Sequence, residues 1–329
     1  MATIKEVAQH ARVGVGTVSR VINNASAVHP ETRARVQRAI LELDYYPNQA
    51  ARQLVTAQTL TIGVILPFLV RPFYVNVLQG IAAAVLPSPY HLNIFNVETA
   101  AIRSYYFEEL PVRGRIDGLI VISLPLEQAD VDRLRGARIP TVLIDGWHPE
   151  IASVGMDNRA GTRLAVEYLI GRGHRRIAFM SGPLDEELHF QVNRHRLEGY
   201  HAALAAHDLH SYPSMEQSGV DTYAGGGWMT EQLLDLPVPP TAIFAASDVH
   251  ALGALQTAVR RGLRVPEDIA IMGYDDIELA PYVNLTTMCQ PMAEMGRRGV
   301  ELLMEQLGAE PPQPIHDVLM ATLVPRGTA

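Results

Sequence analysis

The chain has 329 residues, 48% of them hydrophobic, and a formal net charge of -8 at pH 7. No run of about 18 apolar residues occurs, which argues against a membrane-spanning helix, and a lone cysteine, Cys289, excludes an internal disulfide and any cysteine-built metal site. The N-terminus lacks the basic-then-apolar pattern of a signal peptide, so a cytoplasmic protein of two or three domains is expected.

The charge is unevenly placed. Residues 1–60 carry seven Lys/Arg against four acids, a net of +3, and the remainder carries 20 basic and 31 acidic residues, a net of -11. A small basic module on an acidic body suits a protein that touches nucleic acid with one end.

That module reads as three helices. Thr3 caps the first, and Glu6 three positions on completes a capping box; Ile4, Val7, Ala8 and Ala11 recur at helical spacing as its buried stripe. Arg12-Val13-Gly14 makes a turn. A second helix is predicted over about 15–22, with Val18 and Val21 inward and Val15, Gly16, Thr17, Ser19 and Arg20 outward. Pro30, favoured in a first turn, opens a third helix to about Leu43, whose Val36, Ile40 and Leu43 close the core. Two short helices joined by a tight turn form a helix-turn-helix, whose second helix enters the major groove. Val15 and Gly16 would face bases there, Arg20 could pair with guanine, and Thr17 and Ser19 suit phosphates. The segment 48–54 is an Ala-rich helix former with no obvious core to join, too short to be stable alone.

From Leu60 onward, apolar β-branched runs alternate with amphipathic helices. Strands are predicted over 61–66, 92–96, 118–122, 141–144, 176–181, 241–246 and 269–273, with a further one at 321–324 near the C-terminus. Near-continuous apolar strands alternating with helices indicate parallel sheets covered on both faces. There are enough for two sheets, and a division falls near Asp157-Asn158 with a return near Thr287. Gly225-Gly226-Gly227 lacks the Lys and Ser/Thr of a phosphate loop and is expected to mark a turn before Trp228. The Pro311-Pro312-Gln313-Pro314 run is a loop.

Ligands of such sheets sit at the carboxyl ends of the strands. The residues there give the effector-binding candidates Phe73, Tyr74, Asp145, Trp147, Arg196, Ser247, Asp275 and Gln290. Aromatic faces with Asp, Arg and Gln suit a sugar or another polyhydroxyl metabolite. Asp248 is expected to cap the next helix or to bond within its lobe. No cofactor or metal is implied, and the chain shows none of the Walker, G-x-S-x-G or HExxH motifs that would point to an enzyme.

The strings Thr3-Ile4-Lys5-Glu6-Val7-Ala8, Thr17-Val18-Ser19-Arg20-Val21-Ile22-Asn23 and Pro30-Glu31-Thr32-Arg33, with Tyr46-Pro47-Asn48-Gln49-Ala50-Ala51-Arg52-Gln53-Leu54, resemble the LacI/GalR family of bacterial transcription regulators. The likeness continues through Arg71-Pro72-Phe73-Tyr74, Arg172-Gly173-His174, Arg196-Leu197-Glu198-Gly199-Tyr200, Ser247-Asp248 and Gly273-Tyr274-Asp275-Asp276. It implies a helix-turn-helix domain at 1–46 and a hinge helix and linker at 47–60. Beyond them it implies a two-lobed, periplasmic-binding-protein-like core, 61–157 with 288–320 and 158–287 with 321–329. Thr3, Asn23, Asn48 and Ala51 join the DNA-contacting set, and Leu54 wedges into a central base step and kinks the duplex. Arg196 and Asp275 occupy positions that the family uses for effector.

The implied function is a repressor that binds a palindromic operator in double-stranded DNA as a homodimer, controlled by a small-molecule effector in the cleft. A catabolite-control-type regulator gated by a phosphocarrier protein, and a stand-alone sugar-binding protein, are the competing readings. The chain departs from the family pattern at Arg12 (usually Gly or Asn), Gly14 and His29 (usually Ser), Val192 (usually small and polar) and Val220 (often aromatic).

Overall fold

The computed structural model describes residues 2–22, 27–45, 58–112, 115–185, 187–308 and 313–329. The chain divides into two compact units, Met1–Thr59 and Leu60–Ala329.

The first unit holds α1 (Ile4–His10), α2 (Val15–Ile22) and α3 (Pro30–Glu42). Its capping box is reciprocal: Thr3 Oγ1 accepts from the Glu6 amide at 3.4 Å and Glu6 Oε2 accepts from the Thr3 amide at 2.7 Å. That satisfies two donors that the first helical turn leaves orphaned. Val7, Ala8, Ala11, Val18, Val21, Val36 and Ala39 form the core, with Ile40 and Leu43 packed at its edge. Arg12 takes the turn with φ +54°, the left-handed conformation that a glycine would adopt freely.

The second unit alternates strands and helices. In order these are β1 (Thr61–Pro67), α4 (Pro72–Val85), β2 (His91–Val97), α5 (Ala100–Glu109), β3 (Gly118–Ile122), α6 (Gln128–Gly136), β4 (Thr141–Ile144) and β5 (Ala152–Met156). Then come α7 (Asn158–Gly171), β6 (Ile177–Ser181), α8 (Val192–Ala206), β7 (Glu216–Ser218), α9 (Tyr223–Leu234), β8 (Ala242–Ala245) and α10 (Asp248–Arg260). The last are β9 (Ala270–Asp275), β10 (Thr286–Cys289), α11 (Met292–Leu307), β11 (His316–Leu319) and β12 (Thr322–Val324). They build two six-stranded sheets, ordered β11-β5-β4-β3-β1-β2 and β12-β10-β9-β8-β6-β7. Every strand pair is parallel except β10 with β12. The two orders are the same pattern written twice, each reversing direction at its second strand. The reversal between β1 and β3, and between β6 and β8, opens a crevice at the carboxyl ends.

β1, β3 and β4 are buried almost throughout, as sandwiched strands must be. β5, β7, β10 and β11, which periodicity did not show, are three to five residues long, and three of them carry little but polar or small side chains. The chain crosses between sheets three times, after β5, after β10 and after β11. The return expected near Thr287, which gave 288–320 to the first lobe, lies slightly later. Met288 and Cys289 still pair with Tyr274 and Asp275 in the second sheet, so the switch falls at Gln290-Pro291. α11 then lays Met292, Met295, Val300, Leu302 and Leu303 into the first lobe's core.

The glycine triplet is not a turn but part of α9. A Cβ on Gly226 would lie 2.4 Å from the His250 carbonyl oxygen, and one on Gly253 2.1 Å from that of Tyr223. α9 and α10 therefore pack backbone to backbone, and that approach requires glycine despite its poor helix propensity.

Candidate functional site

In the head, α2 presents Val15, Gly16 and Arg20 to solvent, with Thr17 and Ser19 half-buried beside them. Arg20 Nε donates to the Gly16 carbonyl at 3.1 Å, which lays the guanidinium along the exposed face. Thr3 is exposed, and its hydroxyl donates to Glu6 Oε2 at 3.0 Å. The expected contacts Asn23, Asn48, Ala51 and Leu54 lie outside the described residues.

In the second unit, a cavity of about 830 Å³ opens where the carboxyl ends of the two sheets face each other. Seven of the eight effector candidates line it: Phe73, Tyr74, Asp145, Trp147, Arg196, Ser247 and Asp275. The eighth, Gln290, does not. It is buried in the crossover after β10, where its Nε2 donates to Asp275 Oδ1 at 2.6 Å. Sequence position put it at a strand end, but the crossover turns its side chain against the back of Asp275.

Arg196, on the first turns of α8, is 5% exposed. Its Nε donates to Asn158 Oδ1 at 2.9 Å, its Nη1 to the Ala246 carbonyl, and its guanidinium lies 3.8 Å from the centre of the Tyr274 ring. This planar fork is held from three sides, and Asp275 Oδ1 stands 3.7 Å from Nη1. Burial pushes the Asp275 carboxyl up to about 7, against the opposing pull of Arg196 and of the Gln290 hydrogen bond. Burial likewise raises Asp145, across the cleft, whose Oδ2 accepts from Ser123 Oγ at 2.6 Å.

Ser123, Asp145 and Asp275 have φ of +58°, +54° and +120° at the ends of β3, β4 and β9. Non-glycine residues in such conformations cost of order 1–3 kcal/mol each and gather at binding sites. Tyr74, also buried, is raised by burial beside Asp145. Trp147 is 66% exposed and tilts against His316, ring centres 5.9 Å apart, at the edge of the cavity.

Ser247 caps α10 and meets His250 Nδ1 at 3.1 Å. Asp248 bonds within its lobe as expected, accepting from Thr287 Oγ1 at 2.6 Å and the Ile277 amide at 2.9 Å. Sequence reasoning missed Arg71, Ser123, Asn158, Asp221 and His250, which also line the cavity. Ser123 and Asn158 directly follow or nearly follow strands, so the strand-end rule reaches them. Asp221 follows β7, a strand too short and polar to be seen in advance.

A basic three-helix head that presents a recognition helix, joined in one chain to a two-lobed unit with a polar cleft, defines a DNA-binding protein with a small-molecule-binding core. The model of the bacterial regulatory proteins of the lacI family matches residues 3–48, and that of the periplasmic binding protein-like domain matches residues 166–329. The ribose operon repressor of Escherichia coli (strain K12) is 36% identical over 335 residues, covering 100% of both chains. The HTH-type transcriptional repressor CytR of the same strain is 36% identical over 93% of this chain and 90% of its own. Among solved structures, the Lac repressor dimer bound to operator and the anti-inducer ONPF matches with a TM-score of 0.87 at 32% identity, covering 99% of this chain and 98% of that one. A LacI family transcriptional regulator from Enterococcus faecium with bound ribose matches with a TM-score of 0.73 at 25% identity, over 82% of this chain and 98% of its own. The chain belongs to the lacI family of bacterial regulatory proteins and is a sequence-specific DNA-binding transcriptional regulator. No helix among the described residues is long and apolar enough to cross a membrane.

Proposed function

We propose that the protein is a repressor that holds a near-palindromic operator as a homodimer, and that its effector is an uncharged, hydroxyl-rich sugar bound in the cleft. The observation that carries the effector class is the convergence of Asp145, Asp275 and Arg196 from two lobes on one cavity. Carboxylates accept from sugar hydroxyls, and a fixed guanidinium fork donates to ring and hydroxyl oxygens. A phosphorylated or acidic ligand fits poorly. Arg196 already faces Asp275 and Arg71 already pairs with Asp221 at 2.7 Å, while Asp145 brings a further buried carboxyl. Phe73 and Trp147 offer aromatic faces to the apolar side of a sugar ring. The family relatives named for ribose, and the one solved with ribose, make a pentose the first candidate.

Effector control works by differential affinity. A sugar that prefers one lobe arrangement shifts the balance between operator-competent and operator-incompetent forms by at most its preference, typically 1–3 kcal/mol. The DNA contacts proposed are Val15, Gly16, Thr17, Ser19 and Arg20 on the recognition helix, with Thr3, Asn23, Asn48, Ala51 and the wedge Leu54. The test is a gel-shift titration on the promoter regions recovered by genomic footprinting, repeated with a panel of neutral sugars, sugar phosphates and sugar acids. A change in operator affinity with a neutral sugar alone is expected. A response confined to the phosphorylated or acidic members overturns the effector class, and a response to none of them favours gating by a protein partner.

A further inference from the structure

Two loops of the second lobe reach across to the first, and both end on the same pair of residues. The loop after β6 inserts Leu188 and Phe190 among Ile65, Phe107 and Leu119 of the first lobe, leaving them 3% and 9% exposed. Glu187 Oε1 beside them accepts from the Ala100 amide at 3.1 Å, the first residue of α5. There a carboxylate meets orphan donors at a helix N-terminus. The Phe190 ring packs edge-on against Phe68, centres 6.1 Å apart.

The loop after β7 brings Asp221, whose Oδ2 accepts from Arg71 Nη1 at 2.7 Å. The Arg71 guanidinium lies 3.7 Å from the centre of that same Phe68 ring. Asp221 is braced from its own lobe by His250. Nε2 of His250 lies 3.3 Å from Asp221 Oδ1 and 3.4 Å from the Val220 carbonyl, while Nδ1 faces Ser247 Oγ. Nε2 thus faces two acceptors, and burial lowers the His250 pKa against the opposing pull of Asp221.

We propose that Phe68 and Arg71 form one anchor on the first lobe that both second-lobe loops grip, so that the apolar plug and the ion pair open and close together as a single latch on the cleft. The two fastenings differ in kind. Leu188 and Phe190 supply the burial, which is non-directional. Asp221, held between Arg71 and His250, supplies the geometry, because the guanidinium that it pairs with is the one placed over the Phe68 ring. Phe68 is the shared part: its backbone is fixed at φ +49° where β1 ends, and its ring touches Phe190 on one side and Arg71 on another. Opening the cleft therefore removes the platform from both loops at once. The latch sets how much of an effector's binding energy goes into closure, since a ligand binds an already assembled state more tightly.

The inference rests on the reading of the cavity as the effector site, and the two fail separately: sugar titration of the unaltered protein tests the site, and hydrogen exchange with no sugar added tests the latch. The experiment is hydrogen–deuterium exchange by mass spectrometry on the full chain and on the Asp221→Asn and Phe190→Ala variants. Amides at 118–122 and 242–245, in the buried β3 and β8, report that each variant is folded. In Asp221→Asn, exchange at 187–191 and 100–103 is expected to rise on the order of tenfold, although the substitution is in another loop. In Phe190→Ala, exchange at 219–223 should rise comparably. Changes confined in each variant to the loop that was altered overturn the latch. If Asp221→Asn also loosens the reference strands, Arg71→Gln breaks the same pair from the other lobe, and the same pair of outcomes decides.

Discussion

Gln290 donates to Asp275 Oδ1 at 2.6 Å from outside the cavity that Asp275 lines. The hydrogen bond favours the ionised carboxyl, whereas burial, the larger effect, favours the neutral one and sets the balance at about 7. Because the folded chain holds this proton more tightly than the unfolded chain does, its contribution to stability is present in acid and is lost as pH rises through about 7. Asp145 and Asp248, raised by the same burial, act in the same direction. Sugar hydroxyls bond the carboxylate form, so effector binding should release a proton and strengthen as pH rises toward 7, by up to about tenfold per unit. Calorimetry in buffers of different ionisation enthalpy measures the proton directly. Gln290→Leu is expected to move the midpoint of that profile upward. An unmoved midpoint would show that Gln290 serves packing alone.

Arg196→Lys keeps the charge and loses the fork that spans Asn158, Ala246 and the Tyr274 ring. Effector affinity should fall by roughly 1–3 kcal/mol, the cost of leaving unsatisfied a sugar oxygen that the fork would meet in the closed cleft. Arg196→Ala also strips Asn158 and the Ala246 carbonyl of their donor and should lower folding stability, by roughly 1–3 kcal/mol for each buried partner left unsatisfied. Isothermal titration and denaturant unfolding separate the two effects. Equal sugar affinity in Arg196→Lys and the unaltered protein would remove the fork from the binding argument.

The chain has two tryptophans, Trp147 at the cavity edge and Trp228 on α9. Sugar binding is expected to change the fluorescence of Trp147, which the ligand partly removes from water. Trp228→Phe should keep the titration signal and Trp147→Phe should abolish it. The reverse pattern would place the ligand away from the Trp147 side of the cleft.

Arg12 holds a left-handed backbone in the turn between the first two helices. That conformation costs a non-glycine residue roughly 1–2 kcal/mol. Part of this is offset in a glycine variant by its freer unfolded chain. Arg12→Gly should therefore stabilise the head by about 0.5–1 kcal/mol, read as a higher unfolding midpoint of its own thermal transition. A lower midpoint would mean that the arginine side chain contributes more than its backbone costs.

Gly253→Val places a branched side chain where a Cβ already lies 2.1 Å from the Tyr223 carbonyl oxygen. α9 and α10 must then separate, at a cost of typically 1–3 kcal/mol or more. Denaturant unfolding of the variant should show that loss. A Gly171→Ala control, at a helix end with no atom within 4 Å, should change stability little.

Local rules were sufficient wherever a feature is built from neighbours in the chain. The capping box of Thr3 and Glu6, the buried stripe of α1, the bounds of α2 and the alternation of buried strands with helices all follow from spacing and side-chain type, and all appear as read. The strand-end rule likewise brought Phe73, Asp145, Arg196 and Asp275 to one cavity, because parallel sheets put every carboxyl end on one side. What escaped the sequence depends on parts far apart along the chain. Gly225-Gly226-Gly227 reads as a turn until α10 lies against it, since nothing local says that two backbones must touch. Gln290 looks like a ligand group until the crossover turns it against Asp275. Asp221 carries no local signal, because its partners Arg71 and His250 lie 150 and 29 residues away. Sequence alone determined that the chain carries a DNA-reading head and a two-lobed core; tertiary structure decided which charges face the cleft and which stand behind it, because burial and pairing are properties of the assembled lobes.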